Sequence, residues 1–380
     1  MKEYSLELAQ KLLQKKSITP ENDGAIEFLQ TELEKLGFKT EIMIFSEANH
    51  ATIKNLYAKY GNSDKNLAFA GHTDVVPTGD IEKWSVDPFK AEIKNNKLYA
   101  RGAVDMKPAI TSFIAATKTF LEEKKIFKDS ISFIITGDEE AIAVNGTVKM
   151  VAEFKKRKEK ISHCIVGEPT NPNYVGEMVK VGRRGSINFN ITVIGTQGHV
   201  AYPHNADNPN NYLIKFLNEI NNYVFDNGND FFQATNLEVT SIDVDNQTTN
   251  IIPELAKAKI NVRFNDIHQG KDIVKIIEEI ANKTIQKYDL EYKISGESFF
   301  NKDKNFTKII EESIEKVTGN KAELSTTGGT SDARFIKDIC PTIEFGLINE
   351  TAHKIDEHID INEIEKLDKI YLEILRNYFK

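Results

Sequence analysis

The chain contains 380 residues, of which 40% are hydrophobic and 28% charged, and 49 lysines and arginines against 57 aspartates and glutamates give a formal net charge of −8. This composition is typical of a folded protein, and its acidic balance argues against broad nucleic-acid binding. The first residues lack an apolar signal segment and no apolar stretch is long enough to span a bilayer, so we expect a cytoplasmic protein with no nucleic-acid or membrane partner.

Alternating helices and strands are predicted for the first part of the chain. Apolar residues three and four apart indicate helices, and short apolar runs rich in β-branched residues indicate strands. The length also exceeds one ordinary hydrophobic core, so we expect two domains. The predicted elements are, in chain order, helices over residues 5–16 and 22–36, strands over 39–45, 53–60 and 67–70, a helix over 106–123, a strand over 130–136, a helix over 146–158 and a strand over 161–166.

This alternation is typical of an α/β fold, in which helices cover a central sheet and ligands collect at the carboxyl ends of strands. We expect a catalytic domain of residues 1–180 and 295–380, with a mixed central sheet flanked by helices. Between residues 181 and 294 the pattern predicts an inserted α+β two-layer sandwich. The later predicted elements are strands over 186–193, 237–244, 256–264, 290–294 and 342–345, and helices over 208–223, 271–287, 304–317 and from 362 onward.

Acidic and histidine residues follow three of the predicted strands. His72 and Asp74 come after the third strand, Glu139 and Glu140 after the fourth, and Glu168 after the fifth. Burying separate carboxylates at strand ends is costly without a cation. The sequence therefore predicts a metal site, to which Asp105 and His353 are further candidates.

Two histidines and several carboxylates suit one or two divalent ions of the zinc type, with a position left open for water. Of two adjacent acids, Glu139 and Glu140, one can bind an ion while the other moves a proton. The Asp74 carboxylate, two residues beyond His72, can accept the second imidazole N–H and fix the tautomer. Each residue alone has an ordinary explanation, as a turn residue, a helix N-terminal acid or a surface histidine. Their joint order indicates a hydrolase.

Several motifs carry a resemblance to a known family. They are Gly71-His72-Thr73-Asp74-Val75-Val76-Pro77, Trp84 with Asp87-Pro88-Phe89, Arg101-Gly102 with Asp105-Met106-Lys107, Asp138-Glu139-Glu140 and Gly167-Glu168-Pro169-Thr170. Together they resemble the zinc-dependent aminoacylase/carboxypeptidase family of co-catalytic metallohydrolases, over nearly the whole chain. The resemblance implies two Zn²⁺ per subunit, with Co²⁺ as a substitute, held by His72, Asp105, Glu140, Glu168 and His353.

The same resemblance implies a role for each of these residues. Asp105 is expected to bridge the ions, with His72 and Glu168 completing one site and Glu140 and His353 the other. Glu139 is expected to be the general acid and base, and Asp74 the partner of His72. His199 is expected to reach the active site of a second subunit and to bind the oxyanion there, in a homodimer formed through residues 181–294.

A second group of motifs bears on the substrate. They are Val181-Gly182-Arg183-Arg184-Gly185-Ser186, Gly198-His199-Val200-Ala201-Tyr202-Pro203-His204, Asn250-Ile251-Ile252-Pro253, Val262-Arg263-Phe264 and Thr327-Gly328-Gly329-Thr330-Ser331-Asp332. They are similar to family members that act on N-succinyl-LL-2,6-diaminopimelate, a small N-acyl amino acid whose carboxylates suit arginine. The residues expected to bind substrate are Arg183, Ser186, Tyr202, Asn250, Arg263, Gly329, Thr330 and Asn349, with N–H groups of 328–330 placed at a helix N-terminus.

Three positions depart from the family pattern. Pro108 and Ala141 stand where glycine is usual, and Glu350 stands where alanine is usual. None of them removes a ligand, but Glu350 adds a negative charge near His353. A related amidohydrolase, such as an N-acetylornithine deacetylase or a dipeptidase, is therefore an alternative. A catalytically silent binding homologue is another, although it predicts a lost ligand that the sequence does not show.

Overall fold

The computed structural model describes residues 1–124 and 126–380. Within these residues the chain divides into two compact units, one formed by Met1–Val181, Asn301–Ser325 and Ser331–Lys380, the other by Gly182–Phe300 and Thr326–Thr330. The helices in chain order are α1 (Lys2–Leu13), α2 (Ala25–Lys35), α3 (Lys107–Glu123), α4 (Thr147–Arg157), α5 (Pro209–Asn221), α6 (Gly270–Thr284), α7 (Lys304–Thr318), α8 (Ala333–Ile336) and α9 (Ile361–Tyr378).

The strands in chain order are β1 (Lys39–Phe45), β2 (Ile53–Tyr60), β3 (Asn66–His72), β4 (Glu92–Lys94), β5 (Lys97–Tyr99), β6 (Ser130–Thr136), β7 (His163–Val166), β8 (Met178–Lys180), β9 (Gly182–Arg183), β10 (Gly185–Ile194), β11 (Gly198–His199), β12 (Asn236–Asp243), β13 (Ile251–Ile252), β14 (Leu255–Phe264), β15 (Tyr288–Gly296), β16 (Phe299–Phe300), β17 (Glu323–Ser325), β18 (Thr342–Glu344) and β19 (His358–Asp360). The longer predicted strands are confirmed. Most of the two- and three-residue strands are missed, because so few residues show no periodicity.

The first unit is built on an eight-stranded sheet in the order β1-β2-β6-β3-β7-β18-β8-β17. Strands β6, β3, β7 and β18 run parallel, whereas β1 and β2 join the sheet by antiparallel pairing. Every residue of β3 and β6 is buried. The predicted α/β fold with a mixed central sheet and flanking helices is confirmed.

Helix α3 fixes the position of the central strands. It packs on β3 and against α1 and α9, and is buried along most of its length. Phe69 of β3 stacks on Phe113 of α3 with ring centroids 4.6 Å apart, and Phe133 of β6 lies edge-on to Phe113 at 5.5 Å. Such rings stabilise by about 1.5–3 kcal/mol each through burial. The carboxyl ends of β3 and β6 are thereby held side by side.

Two glycines allow a close approach at these strand ends. A Cβ at Gly71 would lie 2.6 Å from Met106 Cε, and a Cβ at Gly167 would lie 2.4 Å from Phe69 Cζ. A side chain at either position would require the packed side chains of Met106 or Phe69 to move. Because these glycines directly precede His72 and Glu168, they help to place both candidate ligands.

The second unit has an antiparallel sheet in the order β12-β14-β10-β15. Alternate residues of β14 are buried, and α5 packs on β14 and β10 while α6 packs on β10 and β15. The core of this unit includes Phe189, Phe216 and Ile277, all fully buried. This is an α+β arrangement of two layers, with β12 and β15 at the edges of the sheet.

Two smaller observations concern membrane-spanning helices and thiols. Among residues 1–124 and 126–380 no helix has both the length and the apolar character needed to cross a membrane. Cys164 and Cys340 are free and buried, which confirms the interpretation of both as buried thiols.

Asp368 of α9 is a buried carboxylate that sets a pH dependence of stability. Ser5 Oγ donates to its Oδ1 at 2.9 Å, and burial raises the pKa of Asp368 to about 7. Since the pKa in the folded state exceeds that in the unfolded chain, its contribution to stability is complete at low pH and is lost as pH rises through about 7. We expect Asp368→Asn to increase the free energy of unfolding more at pH 8.5 than at pH 5, with a difference of about 1–3 kcal/mol between the two pH values.

Urea unfolding of both proteins at the two pH values measures this difference. The exposed variant Asp64→Asn, in the same unit, is the control and should behave as the unmodified protein at both pH values. An Asp368→Asn protein that is equally destabilised at pH 5 and pH 8.5 would contradict the assignment.

Candidate metal centre

His72 is the last residue of β3, and its side chain is only 1% exposed. Nδ1 donates to the backbone carbonyl of Asp74 at 2.8 Å, and Nε2 lies 3.1 Å from Asp105 Oδ1. The carboxylate of Asp74 lies 3.7 Å from Nδ1 and is not its hydrogen-bond partner. The prediction that this carboxylate orients the imidazole is therefore wrong, because the backbone carbonyl of the same residue does so. The tautomer is still fixed, leaving Nε2 for an ion.

The Asp74 carboxylate has a different task. It accepts N–H of Glu139 at 3.2 Å and N–H of Glu140 at 3.0 Å, and it is fully buried. Asp74 thus anchors the backbone of the two adjacent acids. These acids do not begin a helix, since α4 starts at Thr147, so the helix-terminus explanation for them is excluded.

Asp105 lies between the two histidines. Its Oδ2 is 3.3 Å from His353 Nε2, and the same nitrogen is 3.0 Å from Glu140 Oε1. On the other side, Glu168 Oε1 lies 3.9 Å from His72 Nε2. His72 and His353, which are far apart in the sequence, therefore place their imidazoles on either side of the Asp105 carboxylate.

The carboxylates of this cluster together give it an excess of negative charge. Burial raises the pKa of Glu139 and that of Glu168 well above the usual range, with neighbouring carboxylates adding to it. Burial also acts to raise the pKa of Asp105, but hydrogen bonds from His353 and His72 hold it well below its usual range. A cluster of this kind has a strong tendency to bind cations.

Neighbouring carboxylates also raise the pKa values of both histidines in the cluster. Burial opposes the charged imidazole of His72, but Asp105 and Glu168 outweigh it and raise its pKa well above the usual range. Hydrogen bonds to Asp105 and Glu140 raise the pKa of His353 to about 10. Protons held in this way are the ones that a divalent cation displaces when it binds.

The donor set fits divalent metal ions. The ligand atoms of His72, Asp105 and Glu140 lie within 4.8 Å of one another, and so do those of His72, Glu139 and Glu168. Imidazole nitrogens mixed with carboxylate oxygens suit zinc and similar ions. This cluster at the carboxyl edge of a mixed sheet, buried except at His353, is the site of a metal-dependent hydrolase.

The residues predicted to bind substrate lie mostly in the second unit, in three groups. Ser186 and Arg263 are register partners on β10 and β14. Arg183 Nη1 donates to the carbonyl of Thr327 at 2.9 Å, which brings it to the segment that contains Gly329 and Thr330.

The third group surrounds β11. The ring of Tyr202 lies 5.6 Å from that of His199, and the carbonyl of Asn250 accepts N–H of Val200 at 3.2 Å. Asn349 belongs to the first unit, is exposed, and donates its backbone N–H to Asn171. The predicted helix N-terminus at 328–330 is wrong, because α8 begins at Ala333 and spans four residues.

Sequence reasoning missed a buried ion pair beside the metal cluster. Arg101 Nη1 donates to Glu357 Oε2 at 2.7 Å, and both side chains are buried. The available signal was an arginine within the otherwise apolar run Leu98–Val104, since a buried cation requires a partner. The sequence does not show which acid that partner is.

Comparison with known proteins agrees with this site. Residues 68–377 match the model of peptidase family M20/M25/M40. The chain is 51% identical to the succinyl-diaminopimelate desuccinylase of Pelagibacter ubique (strain HTCC1062) over 98% of both chains. It is 50% identical to the desuccinylase of Caulobacter vibrioides (strain NA1000 / CB15N), covering 98% of this chain and 96% of that protein. The chain belongs to peptidase family M20/M25/M40.

Solved structures show the same fold at low sequence identity. Aminopeptidase PepT from Bacillus cereus superimposes with a TM-score of 0.81 at 19% identity, covering 100% of this chain and 99% of that one. The M20 family metallo-carboxypeptidase Sso-CP2 from Sulfolobus solfataricus gives 0.78 at 20% identity, covering 98% and 99%. The Bacillus subtilis YXEP protein, described as a dinuclear metal binding peptidase, gives 0.68 at 15% identity, covering 100% and 99%.

Proposed function

We propose that the protein hydrolyses N-succinyl-LL-2,6-diaminopimelate to succinate and LL-2,6-diaminopimelate. The observation that carries the proposal is the carboxylate of Asp105, which lies within 3.3 Å of an imidazole nitrogen on each side. Such a carboxylate can be shared by two cations. Full-length similarity to succinyl-diaminopimelate desuccinylases supports the choice of substrate.

The proposed cofactor is a pair of Zn²⁺ ions, with Co²⁺ as a substitute. His72, Asp105 and Glu168 would hold one ion, and Asp105, Glu140 and His353 the other. When bound, such a pair polarises the scissile carbonyl and lowers the pKa of the attacking water. The donor chemistry supports this assignment, because each proposed ligand has a donor atom within 3.9 Å of a donor atom of another proposed ligand.

Glu139 is the proposed proton carrier. It takes a proton from the attacking water and delivers it to the departing amine nitrogen, so the amide bond breaks as the succinyl carbon gains the water oxygen. Burial raises the pKa of Glu139, which makes its carboxylate a stronger base toward the attacking water. The hydrogen bond from Glu139 N–H to Asp74 holds the backbone of this carrier in place.

Recognition of the substrate carboxylates is assigned to arginines of the second unit. Arg184 and Arg263 are half-buried neighbours, and neither forms an ion pair with an acid in the described part of the chain. Burial, and for Arg184 also the charge of Arg263, lowers their pKa values. A pair of cations without acidic partners has a strong preference for anionic ligands, and guanidinium groups bind carboxylates through two hydrogen bonds. We include Arg183, Ser186, Tyr202, Asn250, Gly329, Thr330 and Asn349 in the proposed substrate site.

The proposed assembly is a homodimer formed through residues 181–294. Strand β12 is a free edge of its sheet, and edges of this kind pair readily with another copy. Ile214, Val224 and Ile242 in this unit are 66%, 72% and 59% exposed, which is apolar surface that a partner would cover.

His199 is proposed to serve the active site of the partner subunit. Its ring is exposed, and Nδ1 accepts N–H of Ala201 at 3.0 Å. This bond leaves the proton on Nε2 of the neutral imidazole, which is the donor that an oxyanion needs. The two reduced, buried cysteines support the further proposal that the protein works in the cytoplasm.

A comparison of substrates tests the proposed function. With zinc supplied, we expect kcat/KM for N-succinyl-LL-2,6-diaminopimelate to exceed that for N-acetylornithine by at least about 100-fold, because the smaller substrate leaves a half-buried arginine without a carboxylate partner. Arg263→Met should reduce this preference, whereas Arg157→Met, at an exposed arginine of the first unit, should not. Preference for the acetyl substrate, or for a dipeptide, would overturn the proposal.

A further inference from the structure

The ion pair of Arg101 and Glu357 joins two segments that carry proposed ligands. The side chains are 2% and 0% exposed, and they belong to neither group of ligand atoms. Burying two charges is costly, and a protein in which well-packed apolar residues replace a buried ion pair is often equally stable. The contacts of each partner point to a different task.

Glu357 holds the loop that leads to Asp105. Its Oε1 accepts N–H of Val104 at 2.8 Å and N–H of Asp105 at 3.2 Å, while Oε2 accepts N–H of Gly102 at 3.1 Å. Its backbone carbonyl accepts N–H of Ala100 at 3.1 Å. Both carboxylate oxygens are therefore used to fix the backbone that carries the shared ligand.

Arg101 holds the loop that carries His353. Its guanidinium donates to the carbonyls of Lys354 at 3.2 Å, His353 at 3.5 Å and Pro77 at 3.3 Å. His353 has a φ of 62°, in the left-handed region that residues other than glycine adopt only when surrounding contacts hold them there. Arg101 supplies one of those contacts and also lies over the ring of Trp84, at 5.3 Å.

We propose that Arg101 and Glu357 are positioning residues for the ion held by Asp105, Glu140 and His353. The inference rests on the two-ion site proposed above. Asp105 serves both ions but His353 serves only one, so loosening the pair weakens the His353 ion more than the other. Partners behind metal ligands typically change metal affinity by about 10- to 100-fold.

The test measures the binding of Zn²⁺ alone to the 380-residue chain by competition with a chelator. A second titration records the visible absorption of bound Co²⁺ after each equivalent of Co²⁺ is added. The variants are Arg101→Lys, which keeps a cation but cannot reach several carbonyls at once, and Glu357→Gln, which replaces one acceptor by a donor. Ile310→Ala is the control, because Ile310 is fully buried in α7 of the same unit, a helix that carries none of the proposed ligands.

We expect Arg101→Lys to bind the first ion within about threefold of the unmodified protein and the second about 10- to 100-fold more weakly, with the Co²⁺ absorption changed only at the second equivalent. Glu357→Gln, which also loosens the loop of the shared ligand Asp105, should weaken both ions, the second by the larger factor. Ile310→Ala should bind both ions normally. Unchanged affinity for the second ion in Arg101→Lys, or an equal loss in Ile310→Ala, would overturn the inference.

If Glu357→Gln does not fold, Arg101→Lys alone decides. Since substrate is absent from these measurements, a selective loss of the second ion supports the inference even in a protein that fails to hydrolyse the proposed substrate. That combination would overturn only the proposed function.

Discussion

Glu139→Gln is expected to lower kcat by about 10³- to 10⁴-fold while both metal ions remain bound. Glutamine has nearly the shape of glutamate, so the backbone N–H of residue 139 can keep its hydrogen bond to Asp74. The amide cannot accept the proton of the attacking water or return it to the amine. Turnover should therefore fail at the chemical step, and KM should change much less than kcat.

Steady-state kinetics together with metal analysis of the same preparation measures both parts of this result. Glu82→Gln, at an exposed acid of the same unit, is the control and should have normal turnover. Two outcomes would contradict the role of Glu139. Near-normal turnover would show that another group carries the proton. Loss of one ion would make Glu139 a ligand, an arrangement that its distance to His72 and Glu168 also allows.

His199→Ala is expected to lower kcat by about 10²- to 10³-fold in a protein that stays folded and dimeric. Its Nε2–H is the proposed donor to the oxyanion, and this interaction forms as negative charge develops in the transition state. The control is His204→Ala, an exposed histidine in the same loop, which should leave kcat unchanged. Unchanged kcat in His199→Ala would exclude the proposed role.

Mixed dimers test whether His199 acts across the subunit interface. When inactive His199→Ala and Glu139→Gln chains are dissociated and allowed to re-associate, the mixed dimer has one site with Glu139 and a partner's intact His199. We expect recovery of about a quarter of wild-type activity, because random pairing makes half of the dimers mixed and each has one complete site. If His199 acted on its own subunit, mixing would restore nothing.

Much of the fold could be predicted from the sequence because local periodicity reports it. The apolar runs of β3 and β6 and the helical spacing of α3 gave their bounds to within a few residues. The order of strands and helices then placed His72, Glu139 and Glu168 at strand ends, where an α/β sheet collects ligands. Adjacent acids at 139 and 140 indicated separate roles for the two carboxylates before any distance was known.

Other features of the site depend on atoms that no sequence pattern specifies. The imidazole of His72 is held by the backbone carbonyl of Asp74, whereas the Asp74 carboxylate holds the loop of Glu139 and Glu140. The spacing of two residues between His72 and Asp74 indicated their proximity correctly. It could not distinguish a carbonyl from a carboxylate oxygen of the same residue, because that choice depends on where the β6 loop passes.

The sequence by itself determined the alternation of elements, the two-layer pattern predicted for residues 181–294 and the inventory of candidate ligand side chains, because each depends on residues that are neighbours along the chain. Only the tertiary structure decided that Arg101 pairs with Glu357, 256 positions away, and that His353 meets Asp105. The physical reason is that such contacts follow from sheet order and helix packing, which involve the whole chain at once. A buried charge requires a partner, but the fold selects which one.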